Sequence, residues 1–332
     1  MNRLKLISGH LSPGGSAAPL PDLRSSDCGC AAPSSGDEVV VVHGRRTAIG
    51  KAKKGSFKDT TPDELLSAVM TAVLKDVGLS PDQLGDVCVG NVLQPGAGAL
   101  MARVAHFLSG FPEKVPVYTV NRQCSSGLQA LLNIAGSIRS GTIQLGLACG
   151  VTSENVAERF RVSRRQQDSF ALDSQIKAAL ARDSGLFDQE IVPVSVTVRD
   201  ESGQERRLEI RRDEGIRAGT TLEDLARLRP AFKPDGTTTA GLKVNDIDVF
   251  EINEAFASQA VFCVQRLALP PEKVNPLGGA IALGHPLGCT GARQVVTLLN
   301  ELRRRGRRAF GVVSMCIGTG MGAAAVFEYP GP

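Results

Sequence analysis

The sequence predicts an α/β fold made of two copies of one unit, the second of them incomplete. Three observations predict it. Two stretches of the chain repeat the same motifs in the same order. Short apolar runs alternate with amphipathic stretches throughout. The chain also has 332 residues, 42% of them hydrophobic, which is enough for a large core and more than one domain.

The first copy opens with the apolar run Val39 to His43, read as a strand. A helix follows at Thr61-Pro-Asp-Glu64, where Thr61 serves as N-cap, Pro62 suits the first turn and Glu64 completes a capping box. Gly78-Leu79 then leads into Asp86-Val-Cys-Val-Gly-Asn91, Pro112-Glu-Lys-Val115 and Cys124-Ser-Ser-Gly127. A helix to about Arg139 and the strand Leu145 to Gly150 close this copy. The second copy reads Gly241-Leu242, Asp248-Val-Phe-Glu-Ile-Asn253, Pro271-Glu-Lys-Val274 and Gly288-Cys-Thr-Gly291, then a helix to about Arg305 and the strand Phe310 to Cys316. Matched order and spacing make a duplication the economical explanation. The second copy has no counterpart of the opening strand and helix, so it begins in its middle. Between the copies lies a charged segment with a helical stretch from about Gln166 to Asp183 and a strand-like Glu190 to Val198. The expected division is 1–37 leader, 38–150 first half, 151–241 inserted loop region and 242–330 truncated second half.

Composition narrows the function. A net charge of +4 is too mild for a nucleic-acid binder and gives weak support to a small anionic ligand. With 36 Gly, no Trp and 4% aromatics, the chain favours close backbone packing and Gly-rich loops over an aromatic-lined surface. Its 8 cysteines are scattered through apolar segments, unlike a disulfide framework. Cys28 and Cys30 lack the second ligand pair that a zinc site needs, and no metal is expected. No apolar run is long enough to span a bilayer.

The leader is rich in Ser, Pro, Gly and Ala. Arg3-Leu4, five residues, then His10-Leu11 resembles the N-terminal type of peroxisomal targeting signal, which places Arg3, Leu4, His10 and Leu11 on one helical face for an import receptor.

Three clusters carry chemistry. Cys124 in Asn121-Arg-Gln-Cys124-Ser-Ser-Gly127 stands just ahead of a predicted helix, where free amides and the dipole favour a thiolate. A structural cysteine is the plainer reading of that position taken alone. His285 lies in Asn275-Pro-Leu-Gly-Gly-Ala-Ile-Ala-Leu-Gly-His285-Pro-Leu-Gly288, again before a helix. It reads either as a satisfied loop histidine or as an imidazole brought to a nucleophile. Cys316 sits in Ser314-Met-Cys316-Ile-Gly-Thr-Gly-Met-Gly322, where a strand opens into a Gly-rich loop whose amides can form an oxyanion hole.

With Asn253-Glu-Ala-Phe256, these clusters resemble the thiolase family in sequence and order, from about Val39 to Tyr329, and most closely its peroxisomal 3-ketoacyl-CoA branch. The resemblance implies the thiolase fold, a duplicated αβαβα five-layer arrangement with an inserted loop domain, here with an incomplete second half. It implies a 3-ketoacyl-CoA thiolase, an acyltransferase of fatty-acid β-oxidation in the peroxisome, using coenzyme A as co-substrate and no permanently bound cofactor, as a homodimer. By the same resemblance Cys124 forms the acyl-enzyme and His285 takes its proton. Cys316 is the general acid and base, Asn253 holds a water, and the amides of Cys124 and Gly318 form an oxyanion site. Arg217, Phe232 and Ala240 fall in stretches that match the family's CoA contacts.

The chain departs from the family at two junctions. Gly150 runs directly into Val151-Thr-Ser-Glu-Asn155, and Thr239-Ala-Gly241 directly into Leu242. Missing segments there predict unpaired central strands in the second sheet. Two other readings are open at this point: a decarboxylating ketoacyl synthase, which uses a Cys with two His or with His and Asn, and an inactive shortened subunit that pairs or competes with a full-length partner.

Overall fold

A computed structural model describes residues 39–51, 54–150, 164–199, 205–226, 244–318 and 321–332. All of them belong to the unit Val39–Pro332. The leader, with Arg3, Leu4, His10 and Leu11, lies outside the described residues, as do Cys28, Cys30, Phe232, Ala240 and the 233–241 loop.

Five layers build the unit. Helices α1 (Pro62–Val77) and α2 (Ala99–Leu108) cover one face of the first sheet, with β2 (Asp86–Gly90) between β3 (Val117–Val120) and β4 (Gly146–Gly150), all parallel. Strand alternation decides what each face meets. Val87 and Val89 pack on Leu66, Met70, Leu74, Ala102 and Ala105, whereas Cys88 turns the other way onto Ala130 and Ile134. Those two belong to α3 (Ser126–Arg139), which shares the central layer with α8 (Leu287–Arg304). Beyond them lies the second sheet, with β9 (Ala309–Ile317) between β8 (Val249–Ile252) and β10 (Met321–Tyr329). Val249, Val313 and Met315 pack inward with Leu128, Val295, Leu298 and Leu302. Phe250, Ile252, Phe310 and Val312 face the last layer and pack with Val264 of α6 (Ala257–Arg266); the short α7 (Ala280–Leu283) precedes α8.

The duplicated reading has a structural counterpart. β2 pairs with β4 in parallel and α3 lies on that pair; β8 pairs with β9 in parallel and α8 lies on that pair. The inserted region supplies α4 (Arg164–Asp183), β5 (Ile191–Val192), the hairpin β6 (Val194–Arg199) and β7 (Glu205–Ile210), and the short α5 (Leu222–Ala226). Strand β1 (Arg46–Thr47) pairs in parallel with β5. Buried Arg46 fixes this junction by hydrogen-bonding Glu190 at 2.7 Å and both oxygens of Asp213 at 2.8 Å. No helix among the described residues is long and apolar enough to cross a membrane.

The capping box of α1 forms as read: the Thr61 amide donates to Glu64 at 2.7 Å. Gly78 then ends the helix at φ 64°, a left-handed conformation that glycine adopts without a Cβ clash.

Two expectations are corrected. Val39 to His43 is not a strand: regular pairing starts only at Arg46, and Val40 and Val42 are exposed. Four valines give β propensity, but a strand needs a partner edge, and none of the described strands pairs with them. The second sheet is also not left with unpaired central strands. β9 is hydrogen-bonded on both sides. The outer edge of β8 is closed by Asn275, whose amide donates to Phe250 O at 2.8 Å while its side chain accepts from Ile252 N and donates to Ile252 O. One residue, through its backbone amide and its side chain, thus does the work of a neighbouring strand.

Candidate active site

Cys124 lies at the turn into α3, half-buried. The preceding Gln123 sits at φ 49°, in the left-handed region, with its amide donating to Asn121 Oδ1 at 2.9 Å. A non-glycine residue held there by a side-chain turn is local strain of the kind found at functional sites. Ser126 ties the turn down, accepting from Arg122 N at 2.9 Å and donating to Gln123 O at 2.6 Å. Burial raises the Cys124 thiol above its ordinary value, and the backbone amides of Cys124 and Gly318 oppose that rise. Gly318, just beyond β9, therefore presents its N–H to the sulfur. It also packs so closely on Gln123 that an added Cβ would lie 1.9 Å from its Oε1.

Cys316, near the end of β9, is held in the same place. Burial first, then the nearby Cys124, pushes its thiol up to about 12. Asn253, just beyond β8, donates from Nδ2 to Cys316 Sγ at 3.4 Å, while its Oδ1 is buried without a protein partner. Strand pairing sets this up: the Asn253 amide donates to Ser314 O, two residues before Cys316.

His285 stands at the start of α8. Its Nδ1 lies 2.7 Å from Thr290 Oγ1, and its Nε2 is buried with no protein partner. Burial, with Arg293 nearby, lowers its pKa to about 4, so the ring is neutral at physiological pH. A proton on Nδ1 shared with Thr290 leaves the Nε2 lone pair free, the form a base requires. The ring's hydrogen bond is to Thr290 and not to Cys124. The two are related through their helices, which meet backbone to backbone. A Cβ on Gly127 would lie 2.8 Å from Gly288 O, and one on Gly291 would lie 2.5 Å from Leu128 N.

The loop before His285 is anchored by a buried carboxylate. Glu254 accepts from Ser174 Oγ at 2.6 Å, Asn275 Nδ2 at 2.7 Å and Ile281 N at 3.0 Å. Burial raises its pKa despite these donors. Beneath α8, Arg293 and Glu251 form a buried pair at 2.9 Å, and burial brings Glu251 to about 7.

The structure therefore gathers Cys124, Cys316, Asn253 and Gly318. His285 stands just before α8, the helix that meets α3, and its own contact is with Thr290. Arg217 lies apart, in the inserted region, with an exposed side chain and its backbone amide held by Gln175 Oε1 at 2.7 Å. Sequence reasoning missed Thr290, Gln123 and the Glu254 anchor. Thr290 was visible as a hydroxyl one turn into the helix after His285; the other two depend on tertiary contacts.

These features agree with comparison to known proteins. The family model for the thiolase N-terminal domain matches residues 39–153 and 148–246, and that for the thiolase C-terminal domain matches 221–329. The two N-terminal pieces meet at the first junction noted in the sequence. The human protein named peroxisomal 3-ketoacyl-CoA thiolase is 54% identical over 425 residues, covering 100% of both chains. Peroxisomal 3-ketoacyl-CoA thiolase 1 of Arabidopsis thaliana is 42% identical over 428 residues, covering 99% of this chain and 96% of that one. Both alignments are longer than this chain's 332 residues, so internal segments of the relatives have no counterpart here. Among solved structures, the dimeric peroxisomal thiolase of Saccharomyces cerevisiae superposes with a TM-score of 0.75 at 37% identity, covering 87% of this chain and 97% of that one. A Bacillus anthracis acetyl-CoA acetyltransferase gives 0.76 at 30% identity, covering 87% and 98%. The chain belongs to the thiolase family and has its five-layered αβαβα fold, with the second half shortened.

Proposed function

We propose that this chain is a peroxisomal 3-ketoacyl-CoA thiolase, an acyltransferase of fatty-acid β-oxidation that cleaves 3-ketoacyl-CoA with CoA into acetyl-CoA and a shortened acyl-CoA. The observation that carries this reading is the facing pair of thiols, Cys124 and Cys316, with an amide on the first and Asn253 on the second.

Cys124 Sγ attacks the 3-keto carbonyl as its proton passes to His285 Nε2. At rest both protons stay on sulfur, since burial raises each thiol, and neutral His285 is a weak base, so transfer accompanies attack. The amides of Cys124 and Gly318 face the oxyanion that forms. The carbon–carbon bond then breaks, leaving an acyl group on Cys124 and the enolate of acetyl-CoA. Cys316, protonated at about 12, gives its proton to the enolate carbon. Asn253 and His285 Nε2 line the enolate oxygen's side, directly or through a water. The Cys316 thiolate next takes the proton of incoming CoA, whose sulfur attacks the acyl-enzyme; Cys124 leaves as the thiolate and takes back the proton held on His285 Nε2, which restores both thiols and the neutral ring. Coenzyme A is a co-substrate here. Exposed Arg217 suits its phosphates, and Phe232 and Ala240 complete the proposed CoA contacts from outside the described residues.

A second copy is the proposed partner. The yeast relative is described as dimeric, and α2 exposes an apolar row, Leu100, Val104, Phe107 and Leu108, beside the edge strand β3. The 38–150, 151–241 and 242–330 division, with a leader read by the import receptor through Arg3, Leu4, His10 and Leu11, belongs to the same proposal. The reading as an inactive competitor of a longer subunit is not favoured, because the relatives match along the whole chain. Against the ketoacyl-synthase reading stand the single candidate histidine, His285, and the Cys316 loop.

The test is CoA-dependent loss of a medium-chain 3-ketoacyl-CoA by the full chain, with Cys124→Ser as control. Thiolysis abolished in the control supports the reading. A folded chain without thiolysis, or thiolysis unchanged in the control, overturns it.

A further inference from the structure

An apolar cavity of about 390 Å³ lies between β4 and the stretch 41–51. Leu147 to Gly150 form one wall, and α1 and α8 contribute Met70, Val295 and Leu299. Among the described residues β4 is hydrogen-bonded only to β2, so its second edge borders this space. Backbone N–H and C=O groups along an open edge beside an apolar cavity need a peptide partner; an alkyl chain cannot pair them.

The duplication states what belongs there. β2, α3 and β4 correspond to β8, α8 and β9. Each sheet adds a third strand on a different side: β3 lies beside β2, whereas β10 runs antiparallel along β9, a place left empty beside β4 among the described residues. The strand ends fix the register. Gly90 pairs with Gly150 and Ile252 with Ser314, each just before the asparagine that ends its strand, Asn91 or Asn253. Leu147 to Gly150 thus correspond to Gly311 to Ser314, which pair with Phe327 back to Ala324.

We propose that the cavity is a strand-accepting slot, in which an extended apolar peptide of β10 type, supplied by another chain, adds antiparallel to β4. Main-chain bonds give the affinity and small side chains fit the space, the mode of β-strand addition. In the expected register an Ala324-like residue lies opposite Gly150 and a Phe327-like residue opposite Leu147. Cys289, half-buried and lining the cavity, becomes covered on binding.

The probe is a labelled synthetic peptide of the Gly322–Tyr329 sequence flanked by lysines, added to the full chain. Anisotropy reports binding, and hydrogen exchange reports its place. The expected result is saturable binding, with exchange at Leu147 to Gly150 slowed at least about tenfold. Binding should weaken about tenfold or more when the peptide carries Ala325→Pro and Val326→Pro together, because successive N–H groups alternate sides and one of the two is a ladder donor toward β4. Equal binding of the proline peptide, no binding, or protection confined to Phe310–Ile317, where the peptide would merely replace the chain's own β10, each overturns the proposal. Protection of Leu147–Gly150 by a saturated fatty acid but not by the peptide also overturns it and makes the cavity a lipid site. None of these readouts uses turnover, so the outcome is independent of the thiolase reading.

Discussion

Thr290 Oγ1 lies 2.7 Å from His285 Nδ1, and this contact leaves Nε2 as the ring nitrogen without a protein partner. Thr290→Val removes the hydroxyl at nearly constant volume. The expected effect is a fall in kcat of roughly fivefold with little change in KM, since about 1 kcal/mol of orientation is lost. Thr290→Ser keeps the oxygen and should recover most of the rate. A KM effect equal to the kcat effect would show that Thr290 acts on binding instead.

The lowered His285 pKa predicts a pH dependence of stability. Folded, the ring titrates at about 4; unfolded, near the ordinary histidine value of about 6.5. Between these the unfolded chain binds the extra proton, so stability falls as pH drops from about 6.5 toward 4 and is unaffected by this group above that window. His106, buried against Phe111, is also lowered to about 4 and adds to the same window. Urea unfolding at pH 5 and pH 7.5 should therefore show a smaller difference for His285→Gln than for the parent chain, by an amount on the order of 1–3 kcal/mol. An unchanged difference would refute the assignment.

The buried Arg293–Glu251 pair predicts an asymmetry. Arg293→Met leaves a carboxyl without its cation and should cost about 3–5 kcal/mol. Replacing both, with Glu251→Leu, should recover a large part of that. Denaturant midpoints of the two single variants and the double variant measure it. Additive losses would mean that the pair is not coupled.

Glu254 accepts three hydrogen bonds that hold the loop leading to His285. Glu254→Gln turns an acceptor into a donor facing donors, with an expected cost of about 1–3 kcal/mol. Thiolysis should fall further than the unfolded fraction explains, because the loop that carries the base is released. Activity that tracks only the folded fraction would remove Glu254 from the positioning role.

Gly291 sits where α8 crosses α3, and an added Cβ would fall 2.5 Å from Leu128 N, a backbone atom that cannot swing aside. Gly291→Ala should therefore force the helices apart and cost about 1–3 kcal/mol. It should also lower kcat, since Cys124 and His285 ride on these two helices. Full activity in a folded Gly291→Ala chain would show that the crossing does not set the catalytic geometry.

The sequence by itself determined most element types (the opening run Val39–His43 is the exception), the duplication and the candidate reactive groups. Those signals are local: apolar periodicity, the Thr61–Glu64 cap, and Cys or His residues placed before helices. It also determined that segments are missing. Where that loss is felt was decided only by the tertiary structure. Reading along the chain placed the damage in the second sheet, next to the missing segment. In space, Asn275 closes the edge of β8, and among the described residues both β10 in the second sheet and β4 in the first keep an edge without a strand, that of β4 beside a cavity. The same holds for the site. Cys124, Cys316, Asn253 and Gly318 were each legible one at a time, but their meeting depends on strand register and on glycine contacts between α3 and α8. The partners of His285 and Glu254 depend on side-chain packing between elements far apart in sequence. Pattern and propensity act over a few residues, whereas pairing and burial are settled by whichever distant surface offers the best-satisfied fit.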